Sequence, residues 1–113
     1  MNSAYIPRYS NRTIERDKIV PTEKIFQVVE DYFGITTEIM MTKTRKTIIA
    51  YPRQVCIWLL AKHSCHSVPG IGVLFGFKDS SSAVNAVKSI DNYLATDDNV
   101  KEQIDFLEQK LKQ

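Results

Sequence analysis

Several features that assign a protein to a compartment or a covalent framework are scarce in this 113-residue sequence. No apolar run approaches the roughly 20 residues that a membrane-spanning helix needs. The N-terminus, MNSAYIPRYSNRTIERDK, has no apolar core followed by a small-residue cleavage site, which excludes a secretion signal. Two cysteines, Cys56 and Cys65, give no disulfide framework. These absences favour a single domain in a reduced, cytoplasmic setting.

Acidic residues are missing from the segment between Ile39 and Lys78. Residues 1–38 contain five Lys or Arg and six Asp or Glu, and residues 79–113 contain four and seven. The middle segment contains six basic residues and no acid, although the net charge of the chain is only +2. A segment of one sign produces a local positive field that attracts phosphate. Two interpretations stay open at this point, a nucleic-acid surface or a solvated basic loop beside a helix.

Apolar residues recur at helical spacing through most of the chain beyond residue 18. The pattern predicts six segments: a helix from Pro21 to Gly34, one turn over 36–41 packed through Ile39 and Met40, a central helix over roughly 52–66, a short helix over 68–75, and helices capped by Asp79 and Asp97. Pro52 is expected in the first turn of the central helix, after a basic loop, TKTRKTIIAY. We therefore expect an all-α fold, a compact bundle of five to six helices over residues 19–113, preceded by a flexible polar arm over residues 1–18.

Two of these helices are separated by about three residues that include a glycine, which is the spacing of a helix-turn-helix. Such corners also occur in bundles that do not bind DNA. The residues on the exposed face of the second helix therefore decide whether DNA binding is favoured. The residues expected to turn inward are Ala83, Val87, Ile90 and Leu94. Those expected to turn outward are Ser81, Ser82, Asn85, Lys88, Ser89 and Asn92. Short hydroxyl and amide side chains near a helix N-terminus are typical of residues that read base edges.

The basic loop predicts a second contact, because an arginine on a loop can enter a narrow minor groove. Arg45 lies at the centre of that loop. The lysines expected to meet phosphates are Lys43, Lys46, Lys62, Lys78 and Lys88. Helix N-termini near Ser67 and Asp79 can add backbone N–H groups.

The combined pattern of residues 52–54 (PRQ), 67–72 (SVPGIG) and 75–82 (FGFKDSSS) resembles the C-terminal DNA-binding domain, domain IV, of the bacterial replication initiator DnaA. That family shows a basic loop, a Pro-Arg-Gln helix start, Ser-Leu-Pro-x-Ile-Gly, Phe-Gly-Gly-Arg-Asp-His-Thr-Thr, and a histidine where Asn85 stands here. The resemblance covers about residues 19–111 without a gap. It implies a DnaA domain IV or TrpR-like helical fold whose helix-turn-helix docks in the major groove.

The resemblance also implies roles for individual residues. Positions that read bases in the family correspond to Arg45, which enters the minor groove, and to Arg53, Gln54, Asp79, Ser80, Ser81, Ser82 and Asn85. Positions that contact the DNA backbone correspond to Val68 and Pro69. The family's His-Thr-Thr is replaced by three serines, which lack the threonine methyl that can pack on a thymine methyl. We therefore expect duplex binding with a preference that differs from the family's usual initiator box.

The family's full-length protein has an ATP-binding motor, and nothing in this sequence matches Gly-x-x-x-x-Gly-Lys-[Ser/Thr]. We therefore expect no bound nucleotide, no cofactor and no enzymatic activity. The Met1 start and the irregular arm favour a small freestanding relative over a domain cut from a longer protein.

Three rival functions were weighed. Asp79, the serines that follow it and either histidine, His63 or His66, are the residue types of a hydrolase triad, but no Gly-x-Ser-x-Gly elbow surrounds the serines. The run HSCH over 63–66 together with Cys56 lacks the usual spacing of a zinc site. A protein-interaction module is the serious alternative, with Phe77 as an exposed anchor.

The sequence thus predicts sequence-specific binding of double-stranded DNA, in replication initiation or its control, by a protein located in the cytoplasm on the nucleoid. Its alternative is a small transcription regulator or protein-interaction module that kept the fold. No metal site and no membrane contact are expected, and no protein partner is identified.

Overall fold

The computed structural model describes residues 19–79 and 81–113, and within them the chain forms six α-helices. Their bounds are α1 Thr22–Phe33, α2 Thr37–Met40, α3 Thr47–His63, α4 Val68–Leu74, α5 Ser81–Thr96 and α6 Asp98–Leu111. The helices enclose one hydrophobic core, with a Cα radius of gyration of 13.4 Å. The predicted all-α bundle is confirmed, and the predicted arm over residues 1–18 lies outside the described residues. In the described part of the chain, no helix is long and apolar enough to cross a membrane.

Helix α3 forms the centre of the bundle and contacts α1, α2, α4 and α5. Its buried residues cover nearly every side of the helix: Val55, Cys56, Ile57, Trp58, Leu59, Leu60 and Ala61. A helix that is apolar all round must be surrounded by other elements to remove that surface from water. The sequence therefore places α3 inside and leaves the shorter helices to form the surface.

The start of α3 differs from the prediction. The helix begins at Thr47, so TIIAY is helical, the basic loop is shorter, and Pro52 lies inside the helix. A proline there has no N–H for the carbonyl of Ile48, four residues earlier. Ile48 is 74% exposed, so water can solvate that carbonyl and the helix tolerates the missing bond. The helix also ends at His63, short of the predicted residue 66.

The ends of α1 follow the prediction, and those of α2 follow it in part. Gly34 closes α1 at φ 71°, a left-handed conformation that glycine adopts without steric cost. Thr36 caps α2 by accepting the N–H of Ile39. Met40 is fully buried as expected, but Ile39 is 41% exposed. A single helical turn directs only part of its surface at the core, so the predicted contact through Ile39 was wrong.

Helix α6 has its predicted cap and inner face. Asp97 accepts the N–H groups of Asn99 and Val100 at 2.9 and 3.4 Å. The residues it buries are the four that the periodicity indicated: Val100, Ile104, Leu107 and Leu111. This face packs against α1 and α5 and closes that side of the bundle.

Candidate nucleic-acid interface

Helix α4, a tight turn and helix α5 form the helix-turn-helix expected from the sequence. Ser67 caps α4 by accepting the N–H of Gly70 at 3.1 Å. In the turn, Gly76 has φ 74°, and the N–H of Phe77 donates to the carbonyl of Gly72 at 2.9 Å. The positive φ lets the chain reverse direction within a few residues. α4 and α5 contact each other directly, and both contact α3.

Phe77 belongs to this turn and is not an exposed anchor. Its ring is half-buried and stacks on Phe75, with centroids 5.9 Å apart and an interplanar angle of 25°. Phe75 in turn lies 6.1 Å from Phe26 of α1. The aromatic residue that replaces the family's second glycine therefore stabilises the turn by packing onto the core.

The start of α5 is organised by Asp79. Its carboxylate accepts the N–H of Ser81 at 2.9 Å and also accepts the Ser81 hydroxyl. These bonds lower the pKa of Asp79, the hydroxyl contributing most, so the group is a carboxylate at neutral pH. Ser80 lies outside the described residues, and the described part of α5 starts at Ser81. Asp79 accepts the N–H two residues further on, which is the bond that the predicted N-cap makes.

The outer face of α5 contains the polar row that the periodicity predicted. Ser81, Ser82, Asn85 and Lys88 are exposed, whereas Ser89 is half-buried. The opposite face buries Ala83, Ala86, Val87 and Ile90 in the core. Residues 81–90 contain no acid, so nothing on this stretch repels phosphate. The face therefore presents short donors and acceptors together with one cation.

The basic loop presents its three cations to solvent. Lys43, Arg45 and Lys46 are exposed, while Thr44 is half-buried. The Thr44 hydroxyl accepts the N–H of Lys46 at 3.2 Å. The loop thus turns its threonine toward the protein and its cations outward.

Arg53 of α3 is already engaged within the protein. Its Nε donates to the carbonyl of Met40 at 2.8 Å. Its Nη2 donates to the carbonyls of Thr42 and Thr44 at 2.7 and 2.9 Å. Burial lowers the pKa of this guanidinium from a very high ordinary value, and it stays charged at neutral pH. The residue predicted to read DNA therefore also holds the basic loop.

Lys62 of α3 is engaged in a different way. Its Nζ lies 5.1 Å from the centroid of the Trp58 ring and 3.9 Å from an Asp91 carboxylate oxygen. The same oxygen accepts the Trp58 Nε1–H at 2.9 Å. The Lys62 side chain is 10% exposed. These contacts join α3 to α5. Lys62 was predicted to bind a DNA phosphate, but most of its side chain packs against the protein itself.

The remaining predicted site residues lie in mixed environments. Pro69 and Lys78 are exposed, and Gln54 is half-buried. The Val68 side chain is buried, so any contact with DNA at this position would use the backbone at the start of α4. Of the predicted set, the described residues that are exposed are therefore Lys43, Arg45, Lys46, Pro69, Lys78, Asp79, Ser81, Ser82, Asn85 and Lys88.

The residues of the rival triad and zinc hypotheses have other contacts. His63 Nε2 lies 2.8 Å from a Glu108 carboxylate oxygen, and His66 Nε2 lies 3.0 Å from the Thr22 hydroxyl. Cys56 is buried, and burial raises the pKa of its thiol far above neutrality, with a smaller effect of the Glu30 charge. Among residues 19–79 and 81–113, no group of three or more His, Cys, Asp or Glu side chains is placed to hold a metal ion.

Comparisons with known proteins agree with this geometry. A family model described as bacterial dnaA protein helix-turn-helix matches residues 22–90. The chromosomal replication initiator protein DnaA of Dechloromonas aromatica is 36% identical over 93 residues, which are 82% of this chain and 20% of that protein. The protein of the same name from Flavobacterium psychrophilum is 32% identical over 92 residues, 81% of this chain and 19% of that protein. The chain thus spans about a fifth of the length of the curated relatives it matches.

A crystal structure of a DNA replication initiation factor has the same fold. It superposes with a TM-score of 0.68 at 22% sequence identity, covering 80% of this chain and 28% of that chain. The part of the relatives that this chain matches is a binding domain rather than a catalytic one. The family match extends from the start of α1 into α5 and includes α4, the turn and the first ten residues of α5. The chain therefore belongs to the family of the bacterial DnaA protein helix-turn-helix.

Proposed function

We propose that this chain binds double-stranded DNA sequence-specifically, with α5 in the major groove and the basic loop in the neighbouring minor groove, and that it acts in replication initiation or its control. The observation that supports this most is the exposed row of Ser81, Ser82, Asn85 and Lys88 at the start of α5. The short serine and asparagine side chains of this row bring the helix backbone close to base edges, and they occupy the part of the helix that recognition helices use.

The base-reading set consists of the positions that the resemblance to the family implies, and side-chain chemistry supports three of them. Asn85 can pair in a bidentate manner with adenine, and Ser82 can donate to or accept from several bases. Arg45 is exposed on the loop and can enter a narrow A/T-rich minor groove. The other members of the set are Gln54, Asp79, Ser80 and Ser81, together with the Nη1 group of Arg53.

The phosphate-binding set surrounds these residues. Exposed lysines stand in the loop, before α5 and on α5: Lys43, Lys46, Lys78 and Lys88. At the start of α4, the backbone at Val68 and Pro69 and the positive end of the helix dipole can also attract a phosphate. We assign Lys62 to the fold, because its ammonium group already lies against Trp58 and Asp91. Such contacts position the protein without reading sequence.

Binding of this kind needs no enzymatic activity, no cofactor and no nucleotide on this chain, and we propose none. We place the protein on chromosomal DNA in the cytoplasm. Family membership favours this function over the interaction-module alternative, and the half-buried position of Phe77 removes the anchor on which that alternative depended. The loss of the threonine methyls and of two imidazoles leads us to propose a target site that differs from the family's initiator box.

The test begins with selection of a preferred site from a random duplex library, followed by two matched variants on one helix face. Asn85→Ala should lose about 1–3 kcal/mol of binding on the selected site and discriminate less at one base pair. Lys88→Ala should weaken binding to all duplexes equally and reduce the salt slope by about one. Fluorescence anisotropy at several salt concentrations measures both effects.

Two results would contradict the proposal. The first is recovery of no preferred duplex by the wild-type chain. The second is an equal loss on every sequence for Asn85→Ala, which would remove the base-reading role from the α5 face.

A further inference from the structure

The three hydrogen bonds of Arg53 all end on one short stretch of backbone. Met40, Thr42 and Thr44 accept them through their carbonyls, at distances between 2.7 and 2.9 Å. The donors Nε and Nη2 belong to one rigid, planar guanidinium, so their positions are fixed relative to each other. Three carbonyls bound to one rigid group define the path of the chain between the end of α2 and Arg45.

The bond to Thr44 has the most direct consequence for Arg45. The carbonyl of Thr44 belongs to the peptide that links it to Arg45, and Arg53 holds that carbonyl. On the other side, the Thr44 hydroxyl accepts the N–H of Lys46. Arg45 is thus held by bonds on both sides, and its own side chain stays exposed. The second end of the stretch is anchored as well, because Met40 is fully buried in the core.

We propose that Arg53 is a positioning residue for the minor-groove contact: by binding the carbonyls of Met40, Thr42 and Thr44, it sets the loop so that Arg45 faces the DNA. This inference rests on the proposed function, since it concerns how that site is prepared. It gives Arg53 a role inside the protein in addition to, and separable from, any contact that its Nη1 group makes with DNA.

The physical gain is preorganisation. Ordering a residue's backbone costs conformational entropy, and a loop that is ordered before binding does not incur that cost at the interface. A lysine at position 53 would keep the positive charge, but its single ammonium on a flexible stem does not reproduce a planar fork. Replacement of Arg53 by lysine therefore separates the shape of the side chain from its charge.

The experiment compares two duplexes that contain the selected site and differ only in the minor-groove flank, A/T-rich in one and G/C-rich in the other. The wild-type chain should prefer the A/T flank by roughly tenfold. Arg45→Ala and Arg53→Lys should each lose most of this preference, and the double variant should lose no more than either single one. Lys43→Ala, a neighbouring exposed cation, is the control and should weaken both duplexes equally.

A second measurement uses the free protein. Trypsin cleaves after lysine and arginine, and the loop offers Lys43, Arg45 and Lys46. Loop cleavage should be several-fold faster in Arg53→Lys and Arg53→Gln than in the wild type, at a temperature well below their unfolding midpoints. Lys43→Gln, which removes one cleavage site without touching Arg53, should not accelerate cleavage at the others.

The outcomes separate this inference from the function on which it rests. If the wild type distinguishes the flanks and Arg53→Lys still does so, the positioning role is wrong and the proposed function stands. Unchanged loop cleavage in both Arg53 variants, or a salt slope reduced by about one in Arg53→Gln with the flank preference intact, would also overturn it. If the wild type binds neither duplex or does not distinguish them, the minor-groove contact and this inference fall together.

Discussion

The acid-free segment contains two groups of cations that the fold uses in opposite ways. Lys43, Arg45 and Lys46 in the loop are exposed. Arg53 and Lys62 on α3 are bound internally, the first to the carbonyls of Met40, Thr42 and Thr44 and the second to Trp58 and Asp91. A count of charges along a segment therefore overstates the positive surface that is available to phosphate.

The acceptors that engage the α3 cations explain this division. Asp91 lies outside the acid-free segment in sequence, yet α5 packs it against Lys62. The carbonyls bound by Arg53 belong to the last residue of α2 and to two residues of the loop. A helix at the centre of a bundle is surrounded by such groups, whereas a surface loop is surrounded by water. Four measurements test whether the two groups of cations differ in this way.

The largest effect is expected from Asp91→Ala, which removes the acceptor of the Trp58 Nε1–H and the ionic partner of Lys62. A buried donor left without a partner, together with the lost ion pair, should lower the free energy of unfolding by about 2–3 kcal/mol. Urea unfolding followed by fluorescence of the single tryptophan measures it. Asp91→Asn keeps an acceptor oxygen and should lower the free energy of unfolding clearly less than Asp91→Ala. An equal decrease would show that the hydrogen bond from Trp58 contributes little to stability.

Arg45→Ala should weaken DNA binding and leave the stability of the fold unchanged. Binding to an A/T-flanked duplex should weaken by about 2 kcal/mol, because the side chain proposed to enter the minor groove is gone. The urea midpoint should not change, since the side chain is exposed. Anisotropy and unfolding on the same preparation measure both. A shifted midpoint would place Arg45 among the internally bound cations.

Lys62→Ala should act on the fold more than on DNA binding. Loss of the stem and ammonium over Trp58 should lower the free energy of unfolding by about 0.5–1 kcal/mol. The salt slope of DNA binding should stay unchanged, and Lys62→Met, which keeps an apolar stem, should recover part of the stability. A slope reduced by about one at unchanged stability would return Lys62 to the phosphate-binding set.

The smallest effect concerns Glu30, which lies away from both groups. Its carboxylate accepts the Thr37 hydroxyl and N–H, both at 2.6 Å, and these bonds, the hydroxyl first, lower its pKa below the ordinary 4.5. A lowered pKa in the folded state adds stability above pH 4.5 that is lost as pH falls through the folded value. Urea midpoints measured from pH 6 downward should therefore fall less steeply for Glu30→Gln than for the wild type. Parallel curves would contradict the assignment.

Much of the fold could be predicted because periodicity and caps are local. The inner faces of α5 and α6 and the caps at Ser67 and Asp97 follow from spacing and residue type alone. The start of α3 could not be predicted in this way, because a proline at a helix start and a proline inside a helix look alike in sequence. What distinguishes them is whether the carbonyl one turn earlier can meet water, and that depends on the exposure of Ile48 in the folded chain.

The candidate site was predictable to a smaller degree. The outward face of α5 and the exposed loop follow from pattern, but the bonds of Arg53 and Lys62 do not. Lys62 and Asp91 are 29 positions apart in sequence, and they come into contact only because α3 and α5 pack together. Arg53 meets backbone carbonyls, which every residue has and which no sequence signal distinguishes. Internal engagement of a cation is therefore a property of tertiary structure.

The bond between Asp79 and Ser81 has a consequence for any attempt to engineer this domain. Replacing Asp79 would remove the acceptor of both the Ser81 hydroxyl and the Ser81 N–H and would weaken the start of α5. Replacing Ser81 would remove only the hydroxyl bond, because Asp79 still accepts the backbone N–H at position 81. Among the described residues, no partner forms a side-chain hydrogen bond with Ser82 or Asn85. Libraries that aim to redirect this domain to other sites should randomise 82 and 85 first and keep Asp79.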